Sequence, residues 1–96
     1  MKNIEISPKE YEVELNWNDA MLYCSLLVID DKCDWRLPTK EELNYIYSSK
    51  NDFVGSGYWS STEYNGGGAW GQNFSGGTQG YGGKGGGNYV RAVRSL

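Results

Sequence analysis

The amino-acid sequence predicts a single small α+β domain spanning residues 1–96. The first half shows the apolar alternation of strands followed by helical spacing, whereas all fourteen glycines lie between Gly55 and Gly87. A chain of 96 residues has room for one hydrophobic core. Four Trp, eight Tyr and two Phe supply large apolar side chains for it. We therefore expect two helices preceded by extended pieces and followed by short strands that glycines separate.

The N-terminal stretch predicts two extended pieces. Ile4 and Ile6 share one face, and Tyr11, Val13 and Leu15 share another, with glutamates opposite them. A proline between the two groups is expected to separate the pieces.

A first helix is expected next, with Asn16 or Asn18 as its N-cap. Its apolar residues recur at helical spacing, at Trp17, Ala20, Met21, Cys24, Leu27 and Val28. Further apolar side chains widen this stripe and predict burial on more than one side; they are Leu22, Leu26 and Ile29. A polar turn, Asp30 to Lys32, is expected to end the helix.

A second helix is predicted to start at Thr39. Thr39 is the N-cap and Glu42 lies at N3, which is the pattern of a capping box. Leu43, Ile46 and Tyr47 form the inward stripe.

Short strands are predicted at 58–62, 69–74 and 88–94, and Gly66 to Gly68 predict a hairpin between the first two. Residues 75–87 hold eight glycines in thirteen positions. A disordered linker is one interpretation of this composition. We favour a long ordered loop, because a strong strand pattern follows it.

Composition argues against several classes of function. The chain has no His, which removes the commonest general base and metal ligand, so we expect no enzyme, no catalytic residue, no metal and no cofactor. The net charge of −3 argues against binding to nucleic acid. Its second half is polar but nearly uncharged, which suits a neutral ligand or a protein partner.

The two cysteines, Cys24 and Cys33, are interpreted as free thiols, with a disulfide as the alternative that would need an oxidising compartment. The start of the sequence has no apolar stretch of signal-peptide length. The longest aliphatic run, Leu26 to Ile29, is too short for a membrane span, so we expect no insertion into a membrane.

Five short motifs occur in the order of a known family: Trp35-Arg36-Leu37-Pro38-Thr39, Glu42-Leu43, Trp59-Ser60-Ser61-Thr62, Ala69-Trp70 with Phe74, and Val90-Arg91-Ala92-Val93-Arg94. Over residues 17–94 the sequence closely resembles the Lcl C-terminal domain family, named for a bacterial collagen-like adhesin. The resemblance implies a C-type-lectin-like fold, in which two helices pack on a twisted antiparallel sheet and long Gly-rich loops form the binding face. Members often carry a Cys at the position of Ala92, able to pair with one in the first helix, so that partner of Cys24 is missing here.

Several conspicuous residues are interpreted as structural. Trp17-Asn18-Asp19 spells a calcium-binding motif of true C-type lectins, but here it opens a helix, so capping is the better interpretation. Trp35, Trp59, Trp70 and Phe74 are expected in the core. Three arginines are expected in structural ion pairs: Arg36, Arg91 and Arg94.

The glycine-rich part carries the candidate ligand-binding residues. Aromatic and amide side chains there give contact area and adaptable hydrogen bonds; they are Tyr64, Asn65, Asn73, Gln79, Tyr81, Lys84 and Asn88. The competing interpretation is that glycine relieves tight turns and Tyr81 only anchors the loop.

Two functional hypotheses follow. The first is a non-enzymatic binding or adhesion module that recognises a glycan or a protein through loops 64–68 and 75–88. The second is a structural accessory protein of a larger assembly, such as a cement, decoration or fibre-tip protein on the surface of a bacteriophage virion, whose partners are other virion subunits.

Overall fold

The computed structural model describes residues 3–49, 52–53 and 55–96. It contains two helices, α1 (Trp17–Leu26) and α2 (Lys40–Ser48), and a 3₁₀ turn at Lys9–Tyr11. Seven strands are present: β1 (Ile4–Ile6), β2 (Val13–Leu15), β3 (Gly57–Asn65), β4 (Gly68–Asn73), β5 (Gln79–Gly83), β6 (Asn88–Val90) and β7 (Val93–Ser95). The predicted α+β class is confirmed.

The strands form two sheets. The larger has the order β2-β6-β3-β4-β5, and the smaller pairs β1 with β7. All strand pairs are antiparallel except β3 and β6, which meet in parallel at Tyr58 and Tyr89. The predicted hairpin of Gly66 to Gly68 is confirmed, because it joins β3 to β4.

Helix α1 buries one face rather than two. Asn16 is its N-cap, since its side chain accepts a hydrogen bond from the Asp19 N–H. Its buried residues, Trp17, Ala20 and Cys24, pack with Trp59, Ala69 and Val90 of the sheet. The prediction of wider burial is wrong for the helix, because Leu22 is 56% and Leu26 is 69% exposed. Two residues of the predicted stripe are exposed as well, Met21 at 38% and, beyond the end of the helix, Val28 at 60%.

The first helix also ends earlier than its apolar pattern predicts. It stops at Leu26, and the backbone of Leu27 is extended. Ile29 then pairs with Lys32 across a tight turn in which Asp30 and Asp31 have positive φ angles of 51° and 67°. Ile29 is buried, but it lies in this turn and not in helix α1.

Helix α2 covers the opposite face of the larger sheet. The capping box is confirmed: Thr39 accepts from the Glu42 N–H, and the Glu42 side chain accepts from the Thr39 N–H. Leu43 and Ile46 are fully buried. Four aromatic rings on this side pack in T-shaped, tilted or stacked contacts: Tyr47, Phe53, Tyr58 and Phe74.

Two predictions in the glycine-rich half are wrong. The expected loop at 75–88 contains β5, whose five residues pair with β4 along their whole length. The expected single strand at 88–94 is two strands with different partners, β6 beside β2 and β7 beside β1.

Trp70 and Phe74 are only partly buried, whereas Trp35 and Trp59 lie in the core as predicted.

The three arginines form the predicted ion pairs. Arg36 binds both carboxylate oxygens of Glu42, at 2.6 and 2.9 Å. Arg94 contacts Asp34 at 2.7 Å and Glu5 at 2.8 Å. These contacts tie the two ends of the chain to the turn at 34–36, where Arg36 also pairs through its backbone with Val93.

Candidate functional site

An open groove of about 340 Å³ lies on the α1 side of the larger sheet, beyond the area that the helix covers. Its floor is formed by strands β3, β4 and β5 at positions that share one face: Gly57, Trp59, Gly71, Gly80 and Gly82. Ser56, Asn73 and Asn88 line it as well, and none of the lining residues in the described part of the chain is charged.

The glycines of the floor fall into two classes. A Cβ on Gly57 would lie 2.8 Å from Asn88 Oδ1, and one on Gly71 would lie 2.7 Å from the Tyr58 carbonyl oxygen. Gly71 needs glycine because a backbone carbonyl oxygen approaches closely, whereas a side chain at Gly57 would displace only the tip of the Asn88 side chain. A Cβ on Gly80 or Gly82 would meet nothing within 4 Å, and neither residue has a positive φ. Their missing side chains leave open space above the backbone of β5.

Two carboxamides face this space. Asn88 makes no side-chain hydrogen bond to any residue in the described part of the chain, and it is half-buried. Asn73 is exposed, and its Oδ1 accepts the Ser75 N–H at 2.7 Å, which leaves its NH₂ group available. The groove therefore offers amide donors and an acceptor to a ligand.

A second feature lies on the α2 side of the same sheet. The rings of Tyr64 and Tyr81 stack with 3.6 Å between centroids and 2° between planes. Both rings make T-shaped contacts with Trp70, with 5.7 Å between ring centroids, and Lys40 Nζ lies 3.7 Å from the centroid of the Trp70 ring. Tyr64 and Tyr81 are 46% and 57% exposed, so the pair forms an aromatic surface beside β5. We call it the tyrosine pair.

The structure does not bring the seven predicted residues together. Asn73 and Asn88 lie in the groove, and Tyr64 with Tyr81 forms the tyrosine pair on the other face. The other three have internal partners. Gln79 Nε2 donates to the Lys40 carbonyl at 2.8 Å, Lys84 Nζ lies 2.6 Å from Glu63 Oε2, and Asn65 Oδ1 accepts the Gly67 N–H.

Sequence reasoning missed the glycine floor. Gly71 lies within the predicted strand 69–74, but Gly80 and Gly82 are assigned to a loop, because glycine carries no side-chain alternation that could reveal a strand. The available signal was their spacing, since Gly80 and Gly82 are two residues apart and so share one face of a strand.

Among the described residues, no carboxylate, cationic or thiol side chain lines the groove. Hydrogen bonding to Arg36 lowers the pKa of Glu42, and hydrogen bonding to Arg94 lowers the pKa of Asp34. Burial raises the pKa of the Cys24 thiol to about 12. Both cysteines are free thiols, with Cys24 buried and Cys33 exposed.

No cluster of three or more metal-ligating His, Cys, Asp or Glu side chains occurs among the described residues. Within the same residues, neither helix has the length and apolar character needed to cross a membrane.

Comparison with known proteins decides the family. The family model of the Lcl C-terminal domain matches residues 2–94, nearly the whole chain. The chain belongs to the Lcl C-terminal domain family. A comparison with curated proteins found no match. The groove and the tyrosine pair are thus features of an Lcl C-terminal domain, and both are built from the half of the sequence that holds its glycines.

Proposed function

We propose that this Lcl C-terminal domain is a non-enzymatic binding module that holds a neutral glycan in the groove between Asn73, Asn88 and the glycine floor. The observation that carries the proposal is the open space over Gly80 and Gly82. Glycine in a strand interior destabilises it, by about 0.5–1 kcal/mol relative to Ala in regular structure. Nothing inside the molecule requires glycine at these two positions. A ligand that approaches the backbone closely would require it.

The polar groups of the groove favour a neutral ligand. Sugar hydroxyl groups both donate and accept, and a carboxamide pairs with them through its NH₂ and its carbonyl oxygen. Asn88 and Asn73 offer such groups. The Asn88 side chain has no hydrogen bond within the described residues that a ligand would have to break. Since no charged side chain among residues 3–49, 52–53 and 55–96 lines the groove, a sulfated or sialylated glycan would find no counter-charge from them. The proposed C-type-lectin-like fold, with two helices beside a curled sheet and the first and last strands paired, agrees with this role.

A glycan array of neutral and anionic oligosaccharides, followed by titration calorimetry of the hits, tests the proposal. Asn88→Ala and Gly80→Leu should each weaken binding of a neutral glycan by on the order of tenfold or more, by loss of a hydrogen-bonding group and by filling the floor. Gly66→Leu is the matched control: its Cβ is equally unobstructed, but the residue lies in the β3–β4 turn outside the groove.

Binding that survives in Gly80→Leu and Asn88→Ala would contradict the proposed site. An array on which only anionic glycans bind, or none, would contradict the proposed ligand class. An extended peptide bound with the same dependence on Gly80 would place a protein ligand in this groove instead.

The second candidate is an accessory subunit of a larger assembly, such as a virion. The outer face of α1 favours it, because Met21, Leu22 and Leu26 are exposed although they are apolar. If these side chains serve an assembly contact, replacing Leu22 and Leu26 by Ser should leave the free energy of unfolding within about 0.5 kcal/mol of the original. A loss above about 2 kcal/mol would show that they serve the fold and would remove this support.

A further inference from the structure

The outer edge of β5 is an unpaired strand edge with a regular set of hydrogen-bonding groups. β5 is the last strand of the larger sheet, and among the described residues only β4 pairs with it. Gly80, Tyr81, Gly82 and Gly83 are all exposed. Strand edges of this kind pair readily with another strand unless charges, prolines or bulges protect them.

The direction of each backbone group on β5 follows from the register with β4. The Lys84 N–H donates to the Gly67 carbonyl and the Asn73 N–H donates to the Thr78 carbonyl. Backbone groups in an antiparallel pair alternate between inward and outward. Gly80 and Gly82 therefore bond to β4, whereas Gln79, Tyr81 and Gly83 direct their N–H and C=O groups away from the sheet.

These outward groups are mostly free within the described residues. The Gly83 carbonyl accepts the Gly86 N–H at 3.1 Å. The Gly83 N–H, and both backbone groups of Gln79 and of Tyr81, have no backbone partner there. The edge is thus open over five residues and centred on Tyr81.

We propose that this edge pairs antiparallel with β5 of a second copy of the chain, so that two larger sheets join into one across a two-fold axis at Tyr81. In that register Tyr81 lies opposite Tyr81 of the second copy, and Gln79 lies opposite Gly83. Two Tyr81 N–H groups and two Gly83 N–H groups then donate to free carbonyls, which gives about four new hydrogen bonds.

Side chains on both faces fit this arrangement. On the groove face Gly80 meets Gly82 of the second copy, so nothing obstructs the approach and the two glycine floors become continuous. On the other face Tyr81 lies opposite Tyr81 of the second copy, and cross-strand aromatic pairs of this kind stabilise a sheet. The two tyrosine pairs then form one aromatic surface.

Charge favours a second copy as the partner. No charged residue occurs from Tyr64 to Gly83, although the chain as a whole carries −3. Like charges directly opposite each other on paired strands are destabilising, and this edge has none. The edge also lacks the lysines and prolines that keep strand edges apart in other proteins.

The test measures self-association of the full chain by sedimentation equilibrium over a wide concentration range, together with amide hydrogen exchange. The expected result is a monomer–dimer equilibrium. The amides of Tyr81 and Gly83 should exchange fast in dilute samples and slowly in concentrated ones. Those of Gly80 and Gly82 should be protected at both concentrations, because they bond to β4.

Gly83→Pro removes an outward N–H from each copy. This N–H donates a hydrogen bond in the proposed dimer and has no backbone partner among the described residues of one chain. The dissociation constant of the dimer should therefore rise by on the order of tenfold or more. The control is Gly66→Pro, which makes the same glycine-to-proline change in the β3–β4 turn, away from the edge of β5. Tyr81→Lys places like charges opposite each other on the two-fold axis, whereas Tyr64→Lys removes the same ring stacking and leaves the edge uncharged.

Only the edge variants should weaken the dimer. A chain that stays monomeric at millimolar concentration would overturn the proposal. So would a dimer that tolerates both Gly83→Pro and Tyr81→Lys, since another surface would then hold the two copies together. These outcomes do not depend on whether the groove binds a glycan.

Discussion

Replacing Arg91 by Met should be among the most damaging single changes in this domain. The Arg91 side chain is 3% exposed and the Glu12 side chain is 8% exposed, with 3.2 Å between Arg91 Nη1 and Glu12 Oε1. Arg91 Nε also donates to the Ser7 carbonyl at 2.8 Å. The substitution would therefore leave a carboxylate buried without its cation and a carbonyl without its donor.

The expected loss in the free energy of unfolding is about 3–5 kcal/mol, the range for removing one partner of a buried ion pair. The contact of Arg91 with Asp52 adds little, since the Asp52 side chain is 60% exposed and solvent screens the pair. Tyr58 still donates to Glu12 at 2.9 Å, which limits the loss. The total free energy of unfolding of a small domain is only about 5–15 kcal/mol, so this loss is a large fraction of it.

Urea unfolding followed by tryptophan fluorescence measures the effect. The midpoint should fall strongly for Arg91→Met and recover in part when Glu12→Gln is added, because an amide leaves no buried charge. Lys32→Met is the control, since Lys32 and Glu5 form an exposed pair 3.7 Å apart that contributes at most about 1 kcal/mol. A loss below about 1 kcal/mol for Arg91→Met would refute the reasoning, because Glu12 would then be solvated or paired elsewhere.

Three further predictions concern local interactions. Thr39→Ala should lower the free energy of unfolding by about 1 kcal/mol, measured by urea titration, because the α2 N-cap is lost. Hydrogen bonds from Arg36 lower the pKa of Glu42, so the contribution of this pair to the free energy of unfolding is complete above the ordinary pKa of 4.5 and is lost as the pH falls further. In Glu42→Gln the free energy of unfolding should therefore fall less steeply as the pH is lowered below 4.5. Iodoacetamide should label Cys33 alone in the native protein and Cys24 only after unfolding, as mass spectrometry would show, because Cys24 is buried; equal labelling would contradict this.

The local features of the chain were predictable because their causes lie within a few residues. The α2 capping box needs only Thr39 and Glu42, three positions apart. The β3–β4 hairpin follows from three consecutive glycines between two aromatic segments. Alternation along a strand puts neighbouring side chains on opposite faces, and in β4 Gln72 is buried whereas Asn73 is exposed.

Features that depend on distant partners were not predictable in this way. Strand β5 exists because β4 pairs with it, and its glycines carry no side chains whose apolar alternation would mark a strand. The exposed outer face of α1 looks like core in sequence, since an apolar stripe does not reveal how much of it other elements cover.

The amino-acid sequence by itself determined the α+β class, the start of α2 and the family signature, because propensity, capping and motif order are properties of neighbouring residues. Only the tertiary structure decided which candidate residues share a surface. Asn73 and Asn88 meet in the groove while Tyr64 and Tyr81 lie on the opposite face, because strand register sets the face of each side chain. Register in turn depends on pairing between segments that are far apart along the chain.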